Sequence, residues 1–218
     1  MSDPITLWRD ALLQWALPTH ITEAGASNRP TPSQANDDGW AHIAPRFRAM
    51  AEQSLAAPPD PFAERLLSLV TPETTLTDVG AGAGRFALRV APRVKRVSAV
   101  ESSPAMQAAL RDLSAQRGAS NVTVIEGRWP DVDTPPADYV VSAHVVYDVP
   151  DLLPFLARMD ERARRAVYLN LMPAHPHTPL KELWKRIHNL DRPDHPTYED
   201  ALAVARLVSP QARAELVP

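Results

Sequence analysis

Apolar and polar positions change rhythm along the chain. From Ile5 to Leu17, Leu7, Leu12, Leu13 and Trp15 recur near helical spacing, and Pro18 ends the pattern. Residues 23–39 carry Asn28, Pro30, Pro32 and Asn36 with no apolar period, which predicts a flexible connection. A second helix is predicted from Trp40 to about Leu55. Its Trp40, Ile43, Phe47 and Met50 share one face, a stripe expected to pack in the core. Asp60-Pro61 is an N-cap followed by proline, opening a third helix that runs to Val70.

Beyond that point short apolar strands alternate with amphipathic helices. Strands are predicted at Thr75–Val79, Arg96–Val100, Val122–Ile125, Tyr139–Ser142 and Ala166–Leu171, with helices at Arg85–Ala91, Pro104–Ala115 and Asp151–Arg162. This alternation predicts βαβ units, a parallel sheet and a doubly wound α/β fold. The tail from Pro173 to Pro179 is rich in Pro and His. Helices are then predicted at Leu180–Leu190 and Tyr198–Leu207, and Ala212–Val217 is a candidate strand.

Composition narrows the classes. The chain has 218 residues, 44% of them apolar and 22% charged, with a net charge of −3, which suits one α/β domain with additions. A mildly acidic balance gives no general attraction to nucleic acid or anionic lipid. The absence of cysteine excludes disulfides, thiolate metal sites and a cysteine nucleophile. No apolar run approaches the roughly 20 residues of a membrane span, and the first residues do not resemble a signal peptide, so a cytoplasmic location is expected.

The chemistry concentrates in Asp78-Val-Gly80-Ala-Gly82-Ala-Gly84-Arg85, where a strand runs into three alternate glycines and then a helix. Such glycines permit a tight turn and a close ligand approach, and the helix start offers free N–H donors. Counted from Gly80, the dinucleotide pattern G-x-G-x-x-G fails at Arg85. Counted from Gly82, it reaches Ala87 as a looser match. No lysine follows in the manner of a phosphate loop. A second acid, Glu101, ends the next strand about twenty residues on, where a carboxylate takes ribose hydroxyls.

Together with Val-Ser-Ala-Val-Glu101-Ser102-Ser-Pro-Ala-Met106, this segment resembles the first two motifs of the class I, Rossmann-like, S-adenosylmethionine-dependent methyltransferases. The resemblance runs from about Pro61 to Leu171. It implies a seven-strand-type sheet with S-adenosylmethionine (SAM) as cofactor. Gly80, Gly82 and Gly84 would lie against the methionine part, Asp78 would hold its ammonium, Glu101 would take the ribose, and Met106, after Ser102, would flank adenine. At the third strand the chain departs from the family, because Arg128 and Trp129 stand where relatives place an acid or amide. Arginine cannot accept the adenine amine's hydrogen bond. Trp129 either lines the adenine pocket or is a half-exposed turn aromatic.

Methyl transfer is an in-line displacement that asks chiefly for positioning, so it leaves a weak catalytic signature. The resemblance puts the end of the fourth strand, Ser142-Ala-His144-Val-Val-Tyr147, opposite the methyl group. His144 is the candidate general base there, against a structural role at the turn. Tyr147 is a candidate for orienting the acceptor, against simple packing. The segment lacks the acid or Asn followed by Pro-Pro-aromatic of family members that methylate nucleobase or glutamine amines. His175, His177, His188 and His195 cluster in the tail without regular ligand spacing, so no metal is assigned.

The expectation is therefore a helical extension over 1–60 and a SAM-binding domain over 61–218. The tail 173–210 would cover the substrate, and the N-terminal helix either packs in the core or forms a lid. After the fifth strand the family normally adds two more, and only one candidate remains, so the chain is expected to lack the last. Methyl transfer to oxygen or nitrogen of a small molecule is the leading activity, with nucleic acid disfavoured. RNA or protein methylation, non-catalytic SAM binding and dinucleotide-dependent redox chemistry are the rivals.

Overall fold

A computed structural model describes residues 3–16, 18–19, 21 and 38–217. Most of the predicted connection 23–39 lies outside the described residues. The chain divides into two compact units, one of residues 1–37, 146–153 and 172–214, the other of residues 38–145, 154–171 and 215–218.

The second unit contains the sheet. Helix α2 (Ala44–Ala56) and helix α3 (Pro61–Leu69) precede strand β1 (Thr75–Val79), the short helix α4 (Ala87–Val90), strand β2 (Arg96–Glu101), helix α5 (Pro104–Gln116) and strand β3 (Val122–Glu126). Strand β4 (Ala137–Ala143), helix α6 (Leu152–Arg162) and strand β5 (Ala163–Asn170) follow, α6 beginning in the other unit's residues. All five strands are parallel, in the order β3-β2-β1-β4-β5. β1 lies in register with β2 from Thr75–Arg96 to Val79–Val100, and with β4 from Leu76–Tyr139 to Val79–Ser142. Helices α4 and α5 connect strands on one side of β1 and α6 those on the other, and the buried central strands read as continuous apolar runs. The order reverses between β1 and β4, and the crevice at their carboxyl ends is where open α/β sheets take ligands.

Five strands are present among the described residues, and the candidate strand Ala212–Val217 is not one of them. Leu216 and Val217 are exposed, with no ladder to satisfy their backbone. The stripe on α2 is a second correction. Trp40–Ile43 forms a turn ahead of α2, whose buried residues are Ala44 and Ala51, while Trp40, Phe47 and Met50 are 43%, 38% and 46% exposed. Small alanines let α2 approach α5 closely, and the large residues are left on the outer side, where Trp40 meets Phe47 edge to face at 6.0 Å.

The first unit holds helix α1 (Pro4–Leu13), helix α7 (Lys181–His188) and helix α8 (Tyr198–Val208), with Trp8, Leu12, Ala201 and Val204 buried. Trp8 Nε1 donates to Val149 O at 2.8 Å and Trp15 Nε1 to His195 O at 2.7 Å. Thr197 and Asp200 form a capping box on α8.

Leu110 is fully buried in the core shared by α4, α5 and β2. Leu110→Ala is expected to cost about 2–5 kcal/mol in denaturant unfolding. Met50→Ala, on the exposed stripe, is expected to stay within about 0.5 kcal/mol of the parent.

Candidate functional site

β1 delivers the chain to the glycine loop, and β2 delivers Glu101 beside it. Gly80 N and Ala81 N both donate to Val100 O, at 2.9 and 3.0 Å, which ties the loop to the end of β2. Gly80, Gly82 and Gly84 have φ of 73°, 54° and 91°, in the left-handed region that favours glycine. Two of them need glycine for different reasons. A Cβ on Gly84 would stand 2.3 Å from Leu110 Cδ1, so packing forbids it. A Cβ on Gly82 would meet nothing within 4 Å. The backbone at Gly82 is bare toward open space, the condition for close approach by a ligand.

Glu101 is 8% exposed, and both of its oxygens are engaged. Oε2 accepts from Gly82 N and Oε1 from Ser103 N, each at 2.8 Å. A carboxylate has about four lone-pair sites, so two remain for ribose hydroxyls. Ser102 is exposed beside it, and Met106 is buried one turn into α5.

Asp78 is 2% exposed, and its Oδ2 accepts from Ala87 N at 3.1 Å, at the start of α4. Burial pushes its carboxyl up to about 7, with the nearby Glu101 adding to the rise and the Ala87 bond opposing it. Among the described residues Asp78 has one side-chain hydrogen bond, where a buried carboxylate ordinarily finds several. A cation brought to this side of the loop would favour its charged form.

On the β3 side, Gly127 N donates to Glu101 O at 3.0 Å, and Arg128 is exposed with no side-chain partner among the described residues. Trp129 is buried, and its Nε1 donates to Phe155 O at 3.0 Å, which makes it an anchor to α6 instead of a half-exposed aromatic. At the end of β4, Ser142 is buried and its Oγ donates to Val79 O at 3.0 Å, bracing β4 against β1. His144 is exposed, has φ of 60°, and donates its backbone N–H to Asn170 O at 2.8 Å. A non-glycine residue held there costs roughly 1–2 kcal/mol. Partial desolvation and then Arg85 lower the imidazole pKa, with Asp60 opposing.

Sequence reasoning did not single out that charged pair. Asp60 caps α3 through Ala63 N at 2.8 Å and also pairs with Arg85, whose Nε donates to Ser54 Oγ at 3.2 Å. The Asp60-Pro61 cap was legible, but its second partner 25 residues away was not. Tyr147 falls in the other unit, where its hydroxyl accepts from Met172 N at 2.5 Å and its ring lies edge-on to His175 at 6.0 Å. His175 is itself stacked on Trp15 at 4.0 Å, and burial, followed by His177 and Arg192, lowers its pKa to about 4. Among the described residues no group of three or more His, Asp or Glu could hold a metal ion.

The parallel sheet, its strand-order reversal and the glycine loop at its carboxyl end define a Rossmann-like domain. Residues 76–165 match the family model described as a methyltransferase domain. Two curated relatives, each named as probable ribosomal RNA small subunit methyltransferase A, come from Methanosarcina mazei and Methanosarcina acetivorans. Each is 40% identical over 73 residues, which are 34% of this chain and 26% of the relative. The chain thus spans about a quarter of the length of the curated relatives it matches. Among solved structures, the YcgJ protein of Bacillus subtilis is similar with a TM-score of 0.51 and 17% identity, over 71% of this chain and 68% of that one. A putative S-adenosyl-L-methionine-dependent methyltransferase from Methanococcus maripaludis gives 0.51 and 15%, over 71% and 75%. These two likenesses concern the fold.

Gly84→Ala is expected to lower stability by about 2–4 kcal/mol, from left-handed strain plus displacement of Leu110. Gly82→Ala should cost only the strain, about 1–2 kcal/mol. Thermal melts of both variants check the order.

A carboxyl whose folded pKa is raised binds its proton more tightly when folded. Asp78 therefore favours the fold at low pH and loses that contribution as pH rises from about 4 to about 7. Asp78→Asn should accordingly gain melting temperature relative to the parent at pH 8, with the gain shrinking toward pH 5.

Proposed function

We propose that this chain binds SAM at the carboxyl ends of β1 and β2 and transfers its methyl group to an oxygen or nitrogen of a small molecule. The observation that carries the cofactor reading is the pairing of Gly82, bare toward open space, with Glu101, which is fixed by two backbone amides and has acceptor sites to spare. The donor set fits the group. Glu101 takes the ribose hydroxyls, Asp78 neutralises the ammonium, and the glycine loop offers backbone with no side chain in the way. The cofactor, when bound, supplies an electrophilic methyl group on a sulfonium.

The acceptor side rests on the end of β4. Ser142 is spent on Val79 O and Ala143 has no polar side chain, so the strand end supplies neither amide nor carboxylate to grip a nucleobase amine. His144 is the exposed side chain there, and Arg85 helps keep its imidazole neutral and ready to take a proton from the acceptor.

RNA is the second reading, favoured by the names of the two Methanosarcina relatives. Methyl transfer from labelled SAM, assayed side by side on total RNA and on a metabolite extract, separates the two.

Calorimetric titration of S-adenosylhomocysteine (SAH) should show saturable binding that weakens at least tenfold in Glu101→Ala, the loss of two charge-assisted hydrogen bonds. Once an acceptor is found, His144→Ala should lower kcat by about 10²-fold with SAH affinity unchanged. Since the imidazole must be neutral, the parent's rate should fall on acidification with a midpoint below about 6.5. A pH-independent rate between pH 5 and 8 would remove His144 from the mechanism.

A further inference from the structure

Asp38 lies six residues ahead of α2, at the start of the turn that leads into it, remote in sequence from both cofactor motifs. Its Oδ2 accepts from Ser103 Oγ at 2.7 Å and from Ala105 N at 2.9 Å, and its Oδ1 accepts from Trp40 N at 3.1 Å. Ser103 is the N-cap of α5, its Oγ accepting from Met106 N at 3.2 Å, while its own N–H donates to Glu101 Oε1. Gln107 Nε2 completes the turn by donating to Glu101 O at 2.9 Å.

Resting on the SAM-binding reading above, we infer that Asp38 is a positioning residue for cofactor binding, latching the Glu101–Ala105 turn from outside the βα unit so that Glu101 faces the ribose.

The turn has its own cap in Ser103, so Asp38 is not needed merely to start α5. What Asp38 adds is a fixed orientation for Ser103, whose hydroxyl it holds while Ser103 N holds Glu101. It also satisfies Ala105 N, one of the donors that a helix start leaves open. Withdrawal from water would raise the Asp38 pKa, but the bonds from Ser103, Ala105 and Trp40 outweigh it and hold the group below its ordinary value. Asp38 is therefore a carboxylate when it grips the turn, and its bonds are of the charge-assisted kind.

The test is calorimetric titration of SAH into the full chain and into Asp38→Ala, Ser103→Ala, the double variant and Asp138→Ala, each melted in parallel. Asp138 is a matched structural control. It is another acid bonded to backbone, accepting from Thr75 N at 2.8 Å and Thr75 Oγ1 at 3.0 Å, at the opposite ends of β1 and β4. Asp38→Ala should raise the SAH dissociation constant about tenfold. Ser103→Ala should act in the same direction, and the double variant should be no more than about twofold weaker than Asp38→Ala, because both break one relay. Asp38→Asn, which keeps acceptor oxygen, should recover part of the loss. Asp138→Ala should lower the melting temperature and leave the dissociation constant within twofold. If Asp38→Ala does not fold, Ser103→Ala with Asp38→Asn carries the same comparison. An affinity within twofold of the parent in Asp38→Ala, or an equal loss in Asp138→Ala, overturns the inference while leaving the cofactor reading intact. A parent that binds no SAH overturns both.

Discussion

Two hydrogen bonds to one carboxylate organise the site. Glu101 sits at the end of β2 with Gly82 N on one oxygen and Ser103 N on the other. Through them the loop after β1 and the turn after β2 are tied to the same side chain at the end of β2. A charged acceptor is worth more here than a neutral one, because Glu101 is buried and each donor is a backbone amide that cannot swing away. The left-handed glycines, the Ser103 cap and the Asp38 latch all serve this arrangement. Each either lets the loop reach Glu101 or stops the turn from leaving it.

Asp78 shows what the arrangement costs. A carboxyl with a single hydrogen bond, buried at the start of α4 and within the field of Glu101, is held in its protonated form to far higher pH than it would be in water. Such a group destabilises the fold near neutral pH. Stability sacrificed at a ligand site is expected where the ligand supplies what the free protein lacks, here a positive charge. His144 shows the same economy on a smaller scale, an exposed imidazole in a left-handed conformation clamped to β5 by its backbone.

The sheet was legible in the sequence because its central strands β1, β2 and β4 are buried on both faces. Thr75–Val79 agrees end to end, and the other four strands agree within three residues at either end. The glycine loop and Glu101 were legible because their spacing is dictated by a ligand-sized turn. The orientation of α2 was not. Phe47 and Met50, with Trp40 in the turn ahead of it, form a good apolar stripe, but close packing selected the alanine face and left the stripe outside. Periodicity reports that a face exists, not which face a neighbour takes. Asp38 was invisible for a different reason, since a single acid in a polar stretch carries no pattern and its partners lie 65 and 67 residues away. Trp129 was ambiguous because burial of one aromatic beside a proline depends on a helix, α6, that arrives later in the chain.

The central claim, that the glycine loop and the Glu101 turn together receive SAM, is tested most directly by amide hydrogen exchange with and without SAH. The account predicts slowed exchange in residues 79–86 and 101–106, with the far ends of the same strands unchanged. Saturating SAH that leaves both segments at their free rates, or NADH that protects them where SAH does not, would contradict it.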